Sequence, residues 1–150
     1  MIESVEKTVK HIFFLARHFD RRCIHQVVII LLLELGVPRN LDGFDYLAKA
    51  ITIYCENPTR TNMKGLYQAV AWLYGQEVED YLVDSSIRNA IKLAWKNRNE
   101  DAWALYFPYS IRGRIKKPSN AEFIAGIAWA LELWKGCCRT YEKDDREVKI

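Results

Sequence analysis

Residues 83–98, VDSSIRNAIKLAWKNR, carry two different faces at helical spacing. One face is apolar and predicts burial against a protein core. It consists of Ile87, Ile91, Ala94 and Trp95. The opposite face is polar and basic, and no acidic residue lies between positions 85 and 98 to neutralise it. It consists of Ser85, Arg88, Asn89, Lys92 and Lys96. The segment therefore predicts an amphipathic helix with a basic outer face.

A helix of this kind can lie in a groove of double-stranded DNA. Its cations would meet phosphates, while Arg88 and Asn89 could reach base edges from a helix start formed by Ser85 and Ser86. An ordinary surface helix with a solvated basic face is the alternative interpretation. The segment alone leaves both interpretations open.

Composition limits the remaining possibilities. The chain has 150 residues, which predicts one domain, and its 50% hydrophobic content with a mean hydropathy of −0.18 predicts a soluble globular protein. Its net charge of +3 is too small to indicate nucleic-acid binding by itself. The distribution of the charges must therefore carry that argument.

No metal site or cofactor is predicted. The four cysteines include no CxxC pair, which favours reduced thiols in a cytoplasmic protein. His11, His18 and His25 recur every seven residues, but successive members would be about 10 Å apart along a helix and could not bind one ion. No small-molecule site and no pattern typical of a catalytic centre is evident, so we do not expect an enzyme.

Neither a signal peptide nor a membrane segment is predicted. Residues 1–10 contain charges and lack an apolar centre. The longest apolar run, residues 27–33, has seven members, far fewer than the ~20 that a spanning helix needs. We read it as a buried helix.

The apolar periodicity predicts an all-α fold with about six to seven helices and no sheet. Gly36 is placed to end a helix, Asp42 to begin one as its N-cap, and Ser119 with Glu122 to form a capping box. The expected helices cover residues 4–19, 23–35, 44–54, 62–75, 83–98, 101–106 and 119–134.

Two features of this order favour DNA binding. Residues 62–75 and 83–98, joined by a short acidic turn, are where a helix-turn-helix would lie. The connector that follows is basic and could hold phosphates together with Arg98. Its cations are Arg112, Arg114, Lys116 and Lys117.

Three stretches resemble one family: ELGVPRNLDGFDYLAKAI (residues 34–51), SIRNAIKLAW (86–95) and KPSNAEFIA (117–125). They are similar to the C-terminal effector domain of the stage-zero sporulation master response regulator of spore-forming Firmicutes. The resemblance implies a winged-helix-like, all-helical effector domain over residues 24–136 with an embedded helix-turn-helix that binds promoter DNA. It leaves an extra N-terminal helix over residues 1–23 and a charged, disordered tail over residues 137–150.

The resemblance also implies that the helix over residues 119–134 contributes to a homodimer. Its apolar residues support this, because they cover more than one packing stripe. They are Phe123, Ile124, Ile127, Ala128, Ala130, Leu131 and Trp134. A fully buried core helix in a monomer is the alternative.

The chain departs from the family pattern in two ways. The family's regulator carries a receiver domain before this domain, and the 23 residues that precede the match here are too few to form one. The positions at which the family carries contacting arginines correspond to Leu82, Ser85 and Arg88, and only Arg88 keeps the cation. The preceding turn is also longer and acidic. We therefore expect a DNA-binding regulator with altered specificity. The alternative is a protein-interaction module that has lost DNA binding and pairs with another regulator.

Overall fold

The computed structural model describes residues 2–20, 22–57, 62–75, 78–107, 110–111 and 114–148. Within them the chain forms seven helices and one minimal hairpin, so the all-α prediction is confirmed. In chain order the elements are α1 (Ile2–Leu15), α2 (Ile24–Glu34), α3 (Asp42–Glu56), α4 (Met63–Leu73), α5 (Asp80–Lys96), α6 (Glu100–Tyr106), β1 (Ser110–Ile111), β2 (Arg114–Ile115) and α7 (Asn120–Val148).

The hairpin corrects the expectation that the chain contains no sheet. β1 and β2 pair antiparallel, with Ser110 opposite Ile115 and Ile111 opposite Arg114. Each strand has two residues. Such a segment is too short to display the alternating pattern by which strands are recognised in a sequence.

α3 lies at the centre of the fold and packs against α2, α4, α5 and α7. α2 contributes Val27, Val28, Leu31 and Leu32 to the core, as the apolar run predicted. In the described part of the chain, no helix has both the length and the apolar character that crossing a membrane requires.

Helix boundaries follow the local signals in most places. Gly36 adopts a φ of 82° after α2, and Val37 N–H donates to the Leu32 carbonyl at 3.0 Å, which confirms the predicted helix terminator. The capping box is also confirmed, because the Ser119 and Glu122 side chains each accept a hydrogen bond from the other residue's backbone N–H. The predicted N-cap Asp42 is wrong, since Leu41 occupies that position and Asp42 is the first residue of α3.

The wide apolar surface of α7 is explained within the monomer. All seven apolar residues that suggested a dimer are buried in the chain's own core, at no more than 3% exposure. α1 covers part of them, and the Phe13 ring meets the Trp134 ring edge-on at 6.3 Å. These side chains are not available to another subunit, so the observation that favoured a homodimer no longer supports it.

α7 also extends beyond the predicted end of the domain. Its backbone is helical as far as Val148, whereas the sequence predicted a disordered tail from residue 137. Charges of both signs three or four residues apart are compatible with a helix, so the density of charge was a poor indicator of disorder here. The boundaries at residues 23 and 136 stay predictions.

Candidate nucleic-acid interface

The two helices of the predicted helix-turn-helix pack against each other. The Asn62 side chain caps α4 by accepting a hydrogen bond from Gly65 N–H at 2.7 Å. α5 begins at Asp80, three residues earlier than expected. Asp80 was expected to be the last residue of the acidic turn, and it is instead the first residue of the helix. An acidic residue at this end is favoured by the helix dipole.

α5 divides into the two faces that its sequence predicted. Its buried side is formed by Val83, Ile87, Ala90, Ile91 and Ala94. Its exposed side carries Ser85, Arg88, Asn89, Lys92 and Lys96. Trp95 is half-buried instead of fully buried, because it lies at the border of the two faces, where the Arg98 guanidinium covers its ring at 3.7 Å.

Close packing against α3 fixes the position of α5. A Cβ atom added at Gly43 of α3 would lie 2.8 Å from the Ser86 carbonyl carbon and 2.9 Å from the Ala90 Cβ. A glycine is therefore needed where the two backbones approach. The same contact places Ser86 beside α3, away from the exposed basic face.

The Arg88 guanidinium is held by a carboxylate one turn earlier. Its Nη2 donates to Asp84 Oδ1 at 3.0 Å and to Oδ2 at 2.9 Å, while the arginine side chain stays 64% exposed. Both hydrogen bonds leave from Nη2, so Nε and Nη1 lie outside the pair. Sequence analysis missed Asp84, although an acidic residue four positions before an arginine is a usual signal for such a pair.

Asp84 is in turn held from α7. Asn120 Nδ2 donates to Asp84 Oδ1 at 2.9 Å, to the Asp84 carbonyl oxygen at 3.1 Å and to the Tyr67 hydroxyl at 3.1 Å. Burial raises the pKa of the Tyr67 hydroxyl above its ordinary value. Residues from α4, α5 and α7 therefore meet at one polar cluster.

This cluster borders a groove of about 440 Å³ that also contains two connector lysines. Lys116 and Lys117 are exposed and line the groove together with Arg88. The fold thus brings three of the predicted DNA-contacting cations together, although Arg88 is 28 or more residues from the two lysines in sequence. The lining of the groove therefore includes three cations beside the carboxylates of Asp84 and Glu122.

Among the other predicted contact residues, Arg98 and Ser85 make hydrogen bonds within the protein. Arg98 donates to the Trp95 carbonyl at 3.0 Å and to Glu100 at 3.1 Å, so it secures the end of α5. The Ser85 hydroxyl donates to the Leu82 carbonyl at 3.2 Å. Arg112 and the side chain of Arg114 lie outside the described residues.

The three histidines are all at least partly exposed, and each has different surroundings. His11 of α1 pairs with Glu34 of α2, and His25 lies 3.4 Å from the Thr52 hydroxyl. His18 is exposed after the end of α1. Among the described residues, no three His, Cys, Asp or Glu side chains are grouped as metal ligands would be.

Residues 28–131, more than half of the chain, match the family described as sporulation initiation factor Spo0A C terminal. The protein belongs to this family. It is a family of DNA-binding effector domains of a sporulation regulator. The match begins within α2 and ends within α7, so it includes the α4–α5 pair and the whole Asp84 cluster, while α1 precedes it.

Proposed function

We propose that this protein binds double-stranded DNA as a transcriptional regulator in the cytoplasm, with a sequence preference altered relative to the family. The observation that supports this most directly is the exposed basic face of α5, with Arg88, Asn89, Lys92 and Lys96 beside the two connector lysines. Family membership supplies the class of partner.

Docking would use the second half of α5 more than its first half. Between positions 65 and 87 the sequence contains no Lys or Arg, whereas it contains four acidic residues. Phosphates are repelled by such a segment and attracted by the part of α5 that begins at Arg88. Leu82 and Ser85 cannot supply the charged contacts of arginines, which supports a changed site preference.

Arg88 is the residue best placed to distinguish bases. Asp84 holds one end of the guanidinium, and Asn120 holds Asp84, so the arginine is restrained before DNA arrives. A restrained side chain loses less conformational entropy on binding than a free one. Asn89 lies next to it on the exposed face and could contact an adjacent base edge.

A salt-dependent titration tests the proposal. The full chain is titrated into fluorescently labelled double-stranded DNA, first a pool of genomic fragments and then the sequences enriched from it. We expect saturable binding whose affinity falls steeply as salt concentration rises, because phosphate contacts release condensed counterions. The absence of binding to any fragment at low salt would refute the proposal.

A further inference from the structure

A set of large apolar side chains lies exposed around the turn between α4 and α5. Trp72 is 82% exposed and Tyr81 is 67% exposed, the highest values among the large apolar side chains of the described residues. Three further residues complete what we call the turn surface. It consists of Trp72, Leu73, Tyr74, Tyr81 and Leu82. A cluster of this kind in so short a segment typically marks an interaction site.

The charges around the turn surface are negative. Glu79 and Asp80 line a groove together with Trp72 and Val78, between α4 and the residues that lead into α5. On its other side, Tyr74 stacks edge-on against Tyr46 at 5.0 Å, beside the exposed carboxylates Asp42 and Asp45 at the start of α3. The nearest basic residues along the chain, Lys64 and Arg88, lie outside this segment.

These charges argue against nucleic acid as the occupant. Phosphates would approach four carboxylates, and a surface of anionic lipids would be repelled in the same way. A partner protein with apolar side chains flanked by Lys or Arg would instead satisfy both the aromatic rings and the carboxylates. The groove runs beside α4, and a partner helix could lie along it.

We propose that the turn surface docks a basic amphipathic helix of a partner protein. The aromatic rings of this site precede the proposed DNA interface on α5, since Tyr81 and Arg88 are seven residues apart, about 10 Å along the helix axis. A partner bound there would lie beside the DNA-reading half of the same helix. This position would allow the protein to bring another factor to the DNA that it binds.

Synthetic peptides test this proposal with the full chain and without DNA. The probe is a fluorescent helical peptide of about 16 residues, roughly 24 Å long, with leucines on one face and arginines on its flanks. Two matched peptides replace every arginine with glutamate or every leucine with serine. We expect saturable binding of the first peptide and affinities at least about tenfold lower for the other two.

Variants locate the binding site. Trp72→Ala and Tyr81→Ala should each weaken binding of the basic peptide about tenfold or more, as truncation of aromatic anchors does in interfaces. Trp129→Ala is the matched control, because Trp129 is 46% exposed on α7, outside the turn surface, and should bind normally. Since all three side chains are exposed, the three variant proteins should have similar unfolding midpoints.

Several outcomes would overturn the proposal. These are no saturable binding, equal binding of the glutamate peptide, or an equal loss in Trp129→Ala. A loss of DNA affinity in Trp72→Ala would assign the turn surface to the DNA interface and would also overturn it. Because peptide binding is measured without DNA, a protein that fails to bind DNA could still bind the peptide, so the two proposals fail separately.

Discussion

Asn120, the first residue of α7, donates hydrogen bonds to both the carboxylate and the backbone carbonyl of Asp84 in α5, at 2.9 and 3.1 Å. The two residues are 36 positions apart, and each lies in or beside a stretch that resembles the family. Asp84 then holds Arg88. Through Asp84, the start of α7 therefore influences the position of Arg88 on the basic face of α5, although α7 does not belong to that face.

The first prediction concerns Arg88. Arg88→Ala should cost about 1–3 kcal/mol on the preferred DNA sequence and reduce the difference between preferred and random DNA. The Asp84 pair that it breaks in the free protein is exposed and contributes only about 0.3–0.5 kcal/mol to folding, so stability should change little. Anisotropy titrations on both DNAs measure this. Equal losses on both would identify Arg88 as a phosphate contact only.

Asp84 provides a complementary prediction. Asp84→Asn removes a negative charge from the rim of the groove and weakens its hold on Arg88. Affinity for random DNA should therefore increase several-fold, while the ratio of preferred to random affinity should fall. The same titrations measure both values. If the ratio is unchanged while random affinity rises, Asp84 acts through charge alone and does not orient Arg88.

The connector lysines should behave differently from Arg88. Lys116→Ala or Lys117→Ala should weaken binding to all sequences and reduce the slope of log affinity against log salt by about one unit. A lysine in this position interacts with phosphate charge and carries no base pattern. Exposed Lys64→Ala on α4 is the matched control for loss of one positive charge. If Lys64→Ala reduces the slope equally, the effect belongs to net charge and not to the groove.

The sequence predicted the features that depend on neighbouring residues. The buried and exposed faces of α5, the Gly36 terminator and the Ser119–Glu122 capping box all follow from spacings of a few residues, and the structure has each of them. The approach of Lys116 to Arg88 could not be predicted, because it depends on how α7 packs against α3 and α5.

Two features show where a sequence pattern permits more than one interpretation. The width of the apolar surface on α7 suggested a second subunit, but a helix packed on several sides within one chain has the same pattern. α3 and α1 supply those contacts here. Likewise, the stretch without acidic residues begins at Ser85, and Asp84, the partner of Arg88, lies one residue before it.

A further prediction concerns thiol reactivity. Burial raises the pKa of Cys55 to about 11, and Cys138 is also buried, whereas Cys137 is exposed. At about pH 8, iodoacetamide should modify Cys137 in the folded protein much faster than Cys55 or Cys138, because the thiolate is the reactive form. Mass spectrometry of the digested protein measures this, and all three should react in denaturant.

The same raised pKa gives Cys55 a defined effect on stability. A proton is bound more tightly in the folded state than in the unfolded state. The stabilising contribution that this proton makes to the free energy of unfolding is therefore complete below the ordinary thiol pKa of about 9. It is lost as the pH rises toward about 11. Cys55→Ala should remove this alkaline component of the unfolding curve. Rapid alkylation of Cys55 in the native protein would contradict both expectations.

The last prediction tests the contact that positions the basic face. Gly43→Ala places a methyl group where the α3 and α5 backbones meet, 2.9 Å from the Ala90 Cβ, and neither neighbour is the end of a flexible side chain. We expect a loss of about 1–3 kcal/mol in the free energy of unfolding, in spite of alanine's better helix propensity.

Gly136→Ala is the matched control in α7, since an added Cβ there meets nothing within 4 Å. It should stabilise the protein by about 0.5–1 kcal/mol. Urea unfolding followed by circular dichroism measures both variants. Similar effects at the two glycines would mean that α5 can move away from α3 without cost, and the fixed placement of Arg88 would then lose its structural basis.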